Sequence, residues 1–408
     1  MSCFVRVSAF VLAIAPALLS QTPLTLQDAV SLALASHPAL DAATARQNVA
    51  AGLRKQAGLS PNPRLIVQLE NTRFWGTPPF SYPQDTQTYA YVAQTVETAG
   101  KRGRRVDLAS ENVRSSELGV ELQRRQIASR VASAYWIAAG SARVRDLLRE
   151  EVTSFERLVE FNRNRVREGA TPEVDLLRTE VERDRLTGLA GVAAQDAERT
   201  RIALLREMGK TEFPAVEFTD SLERPDAVEP AQVSQVLDRR IDMMLAREGV
   251  EQARANLRLQ QANARTDPDL QLGYERIGGF DTIYAAAQIP LPIRNRNQGQ
   301  IEAATADIRV AESSLALTEA AIRSELENAR VEYAARQKLL NDTLRPMRER
   351  ADEVYRITDA AYRETGSDIL RLLDAERVRI ETQTAYTRAL AELQQSAVAL
   401  KTAQGDLP

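Results

Sequence analysis

Two stretches far apart in this chain follow one pattern. Arg167-Glu168-Gly169-Ala170-Thr171-Pro172-Glu173-Val174-Asp175-Leu176-Leu177-Arg178-Thr179-Glu180 runs parallel to Arg363-Glu364-Thr365-Gly366-Ser367-Asp368-Ile369-Leu370-Arg371-Leu372-Leu373-Asp374-Ala375-Glu376, at an offset of 196 residues (167 to 363). The same offset carries Leu204 and Gly209 onto Leu400 and Gly405. Upstream, Gln94 matches Gln288 at an offset of 194, and Asn62-Pro63 matches Asp267-Pro268 at an offset of 205. The first copy therefore holds about 11 extra residues near 71–88, the difference between those two offsets. Such a repeat is far longer than the ~20–50 residues of a solenoid unit. It is a duplicated half-molecule: 21–209 and 231–408, joined through 210–230, where Pro214, Pro225 and Pro230 interrupt any periodicity.

Each copy has the same grammar. A helix of moderate length comes first, at 25–59 and 231–265; Thr25-Leu26-Gln27-Asp28 opens the former as a variant capping box. A pair of short extended segments follows, then a very long helix at 103–168 and 299–364, a turn, and a last helix at 172–208 and 368–404. Thr171-Pro172 supplies an N-cap with proline at the first helical position. In the second copy Ile301, Ile308, Leu315, Ile322 and Ala329 recur every seven residues. The seam shifts by four, from Ile322 to Leu326, and continues through Tyr333, Leu340, Met347, Val354 and Ala361. Val113, Val120, Ile127 and Ala134 hold the equivalent places in the first copy. Sustained sevens with one stutter specify coiled-coil packing with locally relaxed twist. A helix of 66 residues would span roughly 100 Å at 1.5 Å per residue. Pro346 is expected to kink its helix, and Tyr135 and Trp136 to lie in the core.

A plain coiled coil would not need the extended segments. Asp269-Leu270-Gln271-Leu272-Gly273-Tyr274-Glu275 alternates polar and apolar, as do Leu65, Val67 and Leu69, with Ile66 out of phase. The returns 88–97 and 282–291 alternate poorly, and Pro290 and Pro292 must end the latter. Strands of about ten residues suit a membrane β-barrel. Phe74, Trp75, Phe80, Tyr82, Tyr89, Tyr91, Tyr274, Phe280 and Tyr284 concentrate in these segments, as an interfacial aromatic girdle would. Four strands cannot close a barrel alone, so closure would require several chains.

Composition removes other classes. The single cysteine is Cys3 and the single histidine His37, so no disulfide framework and no Cys/His zinc site can be built. No nucleophile–base pair, cofactor motif or metal-ligand cluster can be assembled, which disfavours an enzyme. With 53 basic and 56 acidic residues the chain is no nucleic-acid binder by charge; Lys101-Arg102-Gly103-Arg104-Arg105 reads instead as an anchor at a strand–helix junction. Arg6 followed by the apolar run Val7–Leu19 has the layout of a secretory signal peptide over 1–20. Cys3 precedes that run, so it is not a lipoprotein cysteine. No later segment approaches the ~18 apolar residues of a transmembrane helix.

Taken together, the signal peptide, duplication, hairpins and coiled-coil helices resemble the TolC-like outer-membrane efflux family over essentially the whole mature chain. Gln94-Thr95-Val96-Glu97-Thr98-Ala99-Gly100-Lys101-Arg102 and Gln288-Ile289-Pro290-Leu291-Pro292-Ile293-Arg294-Asn295-Arg296-Asn297-Gln298-Gly299 resemble its heavy-metal exporting, CzcC-like branch. The resemblance implies a mainly α fold with a small membrane β-barrel, in the outer membrane of a Gram-negative-type bacterium with a long periplasmic extension. It implies a homotrimer sharing about twelve strands, embedded in outer-membrane lipid. It also implies docking, through a periplasmic adaptor, onto an inner-membrane proton-driven (RND-type) exporter of divalent heavy-metal cations. The hairpin tips Gly169, Ala170, Thr171, Pro172 and Gly366, Ser367, Asp368, Ile369 are the expected adaptor contacts. Family aspartates after the turn hold the periplasmic mouth shut; Asp374, Tyr362 and Asp175 match such positions. Arg371 stands where a second aspartate is expected, and Ser367 where a basic latch residue is expected, so an Arg371–Asp374 or Arg371–Asp175 contact is the alternative latch. Drug efflux, type I secretion and a pore-less coiled-coil surface protein are the competing readings.

Overall fold

The computed structural model describes residues 22–72, 75–224, 228–229, 231–365 and 368–406. The expected signal segment 1–20, Phe74, Pro225, Pro230 and the tip residues Gly366 and Ser367 lie outside the described residues. In chain order the elements are β1 (Thr22–Leu24), α1 (Leu26–Ser36), α2 (Pro38–Ala57), β2 (Arg64–Glu70), the short α3 (Tyr82–Asp85), β3 (Gln87–Thr95), α4 (Lys101–Arg167) and α5 (Glu173–Glu207). They continue with β4 (Val216–Phe218), α6 (Val233–Arg239), α7 (Ile241–Asn263), β5 (Asp269–Ile277), β6 (Phe280–Gln288) and α8 (Gln298–Lys338). A π-helical segment Leu339–Leu344, α9 (Arg345–Thr365) and α10 (Ile369–Gln404) complete the chain. The chain forms two compact units, and α4 and α10 run through both.

One unit comprises Ser36–Ser129, Val228–Tyr333 and Ala399–Pro408. It holds a four-stranded antiparallel sheet in the order β2-β3-β5-β6. The two hairpins, one from each copy, meet along β3 and β5, leaving β2 and β6 as edges. Gly273 lies where strands come closest: a Cβ there would sit 2.3 Å from the Tyr91 Cα, so only glycine fits. The helical core of this unit gathers Val236, Leu237, Met243, Ile322, Leu326, Ala329, Leu400 and Ala403. Ile322 and Leu326 are each 1% exposed, so the four-residue stutter buries both of its residues. The single helix expected over 25–59 is broken at His37-Pro38. The residue before proline is driven out of the α region, and His37 becomes an N-cap, its Nδ1 accepting from Ala39 N–H at 3.1 Å. The break at Arg240, between α6 and α7, is the counterpart in the second copy.

The other unit comprises Met1–Ala35, Arg130–Ala227 and Ala334–Val398. Its helices are α1, the C-terminal part of α4, α5, α9 and most of α10. The 210–230 segment, which lacks periodicity, supplies β4, and this pairs in parallel with β1. Tyr135, fully buried, donates to the Leu24 carbonyl at 3.0 Å and packs edge-on against Trp136 and Phe218. The core collects Val144, Leu147, Leu148 and Phe155 of α4, Leu186 and Ala193 of α5, Tyr362 of α9, and Ile369, Leu372, Leu373 and Ile380 of α10.

The heptad reading fails beyond Leu340, which is 2% exposed. Met347 and Val354, the next two seam positions, are 45% and 54% exposed. The face that packs inward instead carries Arg348, Tyr355 and Tyr362, each one residue further on. The π segment is the cause. Its wider turn, in which Arg345 N–H reaches back five residues to the Leu340 carbonyl, adds one residue to the helix and rotates everything after it. Pro346 follows directly and has no N–H to give to a regular α turn. The expected kink is thus a change of register.

Candidate functional site

Strand pairing assigns each side chain of the sheet to a face. Tyr91 pairs with Ile66 and with Gly273, and Gly273 with Tyr284. Because the side-chain period is two, one face carries Arg64, Ile66, Gln68 and Glu70, Gln87, Tyr89, Tyr91, Ala93 and Thr95, Asp269, Gln271, Glu275 and Ile277, and Phe280, Thr282, Tyr284, Ala286 and Gln288. It is mainly polar away from the turn joining Ile277 to Phe280, with a tyrosine cluster over Gly273: Tyr91 and Tyr284 have ring centroids 4.7 Å apart, and Tyr89 meets Tyr284 edge-on at 5.7 Å. The opposite face presents Leu65, Val67, Leu69, Val92, Leu270, Leu272 and Ile283, all exposed, the last at 81%. Ala90, Ala285 and Ala287 lie on the middle of that face on the return strands, and Thr88, Gln94, Tyr274, Arg276 and Asp281 lie on it toward the strand ends, Arg276 paired with Asp281 at 3.7 Å. The alternation of the return strands is real but weak in hydropathy, which is why it could not be read along the sequence. An apolar outer face behind a polar inner one is the two-solvent pattern of a membrane barrel wall. Among the described residues no helix is long and apolar enough to cross a membrane.

The basic run at the base of the sheet is held in ion pairs. Lys101, 7% exposed, donates from Nζ to the Arg265 carbonyl at 2.6 Å and to Asp267 at 2.7 Å. Arg105 pairs with Glu97, and Arg64 with Asp269 at 2.9 Å. These contacts bind the strand ends to one another and to α4, as expected of a junction anchor.

In the other unit, the helix ends bring most of the expected site residues together. Gly169, at φ +71°, closes α4 in the left-handed conformation that suits glycine, and Ala170 N–H reaches back to the Arg165 carbonyl at 2.9 Å. Ala170 and Pro172 are exposed, Thr171 half-buried, and Asp368 exposed with its carboxylate on the Leu370 N–H at 3.0 Å. Ile369 departs from expectation. It is 2% exposed, in the core with Leu372 and Tyr362, so its side chain is not available to a partner. The apolar character of the second turn of the repeat is spent on packing α10.

Tyr362 is likewise buried, at 3% exposure. Its hydroxyl donates to Asn162 Oδ1 at 2.5 Å, Asn162 Nδ2 donates to Thr179 Oγ1 at 3.0 Å, and that hydroxyl donates to the Asp175 carbonyl at 2.8 Å. One polar chain thus links α9, α4 and α5, and burial pushes the Tyr362 phenol upward. The Arg165 guanidinium lies 5.5 Å from the Tyr362 ring centroid and 5.6 Å from that of Phe161. Asn162 and Thr179 escaped the sequence reading, yet a signal existed. Continuing the first copy's seam by sevens from Ala134 gives Ser141, Leu148, Phe155 and Asn162; a fully buried amide where an aliphatic is expected marks a buried polar contact.

The charged pair at the start of each return helix is inverted between copies: Asp175 and Arg178 in α5 correspond to Arg371 and Asp374 in α10. Asp175 pairs with Arg178 at 3.5 Å. Arg371 and Asp374 are both exposed, and among the described residues no ion pair joins Arg371 to Asp374 or to Asp175 within the protomer. Asp374 shares a groove with Val174, Leu177, Arg178 and Leu370. Among the described residues there is no group of three or more His, Cys, Asp or Glu able to hold a metal.

The model of the family described as outer membrane efflux protein matches residues 29–207. The chain is 23% identical over 389 residues to the cobalt-zinc-cadmium resistance protein CzcC of Cupriavidus metallidurans, covering 93% of this chain and 89% of that one. Its fold matches the open-state MtrE outer-membrane channel of Neisseria gonorrhoeae with a TM-score of 0.79 at 19% identity, covering 93% of this chain and 89% of that one. It matches CusC with a TM-score of 0.77 at 16% identity, covering 93% and 92%. A sheet polar on one face and apolar on the other, together with long helices, is the fold shared with these channels. Over residues 29–207 the chain matches that family, and over 93% of its length it has the fold of these channels.

Proposed function

We propose that this channel is the outer-membrane part of a three-component exporter of divalent heavy-metal cations, working as a homotrimer with a periplasmic adaptor and an inner-membrane proton-driven exporter. The observation that carries the conduit is the sheet: four strands with an apolar outer face and two unpaired edges. Unpaired backbone in lipid costs several kcal/mol per group, so β6 of one copy must meet β2 of the next until a ring closes. The adjoining helices support the same closure. α2, which leads into β2, exposes Val49 and Leu53, each at 62%; α8, which follows β6, exposes Val310, Leu317 and Val331 at 61–71%. α2 carries three basic residues and one acidic, whereas Gln298–Tyr333 carries seven acidic and three basic, so the two edges complement one another in charge. The metal substrate is supported by the likeness to the cobalt-zinc-cadmium resistance protein. Having no mature cysteine and only His37, a cap, the chain offers few soft ligands, so ions pass hydrated and selection belongs to the partner exporter.

The tip residues Gly169, Ala170, Thr171, Pro172 and Asp368, with Gly366 and Ser367, form the adaptor contact. Asp175, Arg371 and Asp374 form the periplasmic gate, with Arg371 reaching across to a neighbouring protomer, and Tyr362 holds the helices behind it. Deleting the gene should lower resistance to zinc, cobalt and cadmium while leaving resistance to hydrophobic drugs unchanged. Loss of drug resistance alone would transfer the assignment to drug efflux, and a heat-sensitive monomer in the extracted outer membrane would remove the channel reading. Ala170→Glu should abolish metal resistance with trimers still present; normal resistance in that variant would exclude the first tip as a docking surface.

A further inference from the structure

Inside the unit that holds α5 and α9 lies a charged cluster that conduction does not require. Glu151 of α4 and Glu376 of α10 share one guanidinium: Arg379 Nη2 stands 2.5 Å from Glu151 Oε2 and 2.7 Å from Glu376 Oε1. All three side chains are buried, at 10%, 4% and 13% exposure for Glu151, Glu376 and Arg379. From α9, the Tyr355 ring covers the guanidinium, with its centroid 4.4 Å from the Arg379 Cζ. The cluster therefore carries two acids against one base, in surroundings where an uncompensated charge is costly. Two of its atoms lack hydrogen-bond partners, Glu376 Oε2 and Arg379 Nε. The remaining charges near it come from α4, α9 and α5: Arg149 and Glu150 of α4 and Arg348 of α9 line the same cavity as Glu151 and Arg379, and Arg356 and Glu364 of α9 line a second groove with Arg379. On α9, Asp359 and Arg363 act on Tyr355, and Asp352 accepts from Gln383 Nε2 at 2.8 Å. On α5, Glu182 is held by Arg185 at 2.6 Å and by Arg377 at 3.6 Å on another face of α10.

We propose that Glu376 is a proton-binding site, and that its proton sets how tightly α10 is held against α4. With the proton on, one carboxylate faces one guanidinium and the cluster is neutral. With it off, the cluster holds one negative charge in excess, which is relieved when α10 moves away from α4 and water enters from the adjoining cavity lined by Glu151, Arg348 and Arg379. Burial, opposed by Arg379 and reinforced by Glu151, pushes the Glu376 carboxyl up to about 7. In a loosened form it would return to the ordinary carboxylate range of about 4–4.5. Between those limits the packed form binds one proton more than the loosened form. Packing is therefore favoured at the acid end and is lost as pH rises through 7. Glu151 occupies a seam position seven residues after Val144, so its burial follows from the coiled coil itself.

The effect on conduction rests on the channel reading; the effect on packing does not. The purified detergent-solubilised protein should melt several degrees lower at pH 8 than at pH 6. Glu376→Gln should melt at the higher temperature at both pH values, and Glu151→Gln, which removes the excess charge from the other side, should flatten the profile likewise. In planar bilayers the wild-type conductance should rise from pH 6 to pH 8 and that of Glu376→Gln should stay constant. Wild-type pH dependence of melting retained in both glutamine variants overturns the proposal. Flattened melting with no conductance at any pH would leave the proton site standing and remove the channel.

Discussion

The two copies of the repeat solve the same problem differently. In the first, α4 is a single helix of 67 residues. In the second, the corresponding stretch is α8 of 41 residues, six π-helical residues and α9 of 21. The uninterrupted helix keeps one face inward along its seam, from Ile127 to Asn162. The interrupted one changes face after Leu340, turning Tyr355 and Tyr362 inward and leaving Met347 and Val354 outside. Both polar ties of the unit that holds α5 and α9 depend on that change: Tyr355 covers Arg379, and Tyr362 donates to Asn162. In the first copy the position equivalent to Tyr362 is Val166, which can make no such bond. Divergence after duplication has made one copy the rigid frame and the other the element whose attachment can be tuned.

The largest effect should come from making the copies alike. Pro346→Glu, which gives this position the residue the first copy has at 150, supplies the N–H that a regular α turn needs, so the wide turn can close and the seven-residue register can run on from Leu340 through Met347 and Val354. Tyr355 and Tyr362 would then face outward, and heat-resistant trimers should be absent from outer-membrane extracts. Normal trimer yield would show that the π segment is incidental. Nearly as severe, Gly273→Val forces a side chain into the Tyr91 backbone at a site where the first copy has Gln68. The measurement is folded protein in the outer membrane, and wild-type abundance would contradict the close strand approach.

A smaller change, Tyr362→Phe, deletes one hydroxyl and leaves Asn162 short of a donor. An unsatisfied buried acceptor costs about 1–3 kcal/mol. Melting temperature should fall by a few degrees and resting conductance should rise, whereas Val166→Phe in the other copy should not raise conductance. Equal conductance changes from the two variants would dissolve the distinction between frame and tuned element. Smallest are the inverted charges at the tips. Exposed pairs are worth about 0–1 kcal/mol each, although three copies around one axis can act together. Arg371→Glu sets a second acid beside Asp374, and this repulsion should raise single-channel conductance modestly. The first copy holds no such repulsion, because Asp175 keeps Arg178 as its partner. Asp374→Ala should weaken cation preference, as an acidic ring favours cations. Unchanged conductance and selectivity in both would place the constriction elsewhere along the helices.

The duplicated plan, the long helices, the two hairpins and the position of the tips are legible along the chain, because each is written in local chemistry: sevenfold spacing, Gly169, and the alternation of Leu270 and Leu272; the cap is one residue off, since Pro172 rather than Thr171 is the N-cap of α5 and no side chain caps it. Which face of each element matters is settled only by packing. Ile369 reads as a tip residue but is consumed by the core of α10, and Ala90, Ala285 and Ala287 face outward only because their pairing partners fix the register. The shift from Met347 and Val354 to Tyr355 and Tyr362 was beyond reach of any periodic rule. A heptad assigns a face only while every turn of the helix is the same width, and the π turn before Pro346 changes that width by one residue.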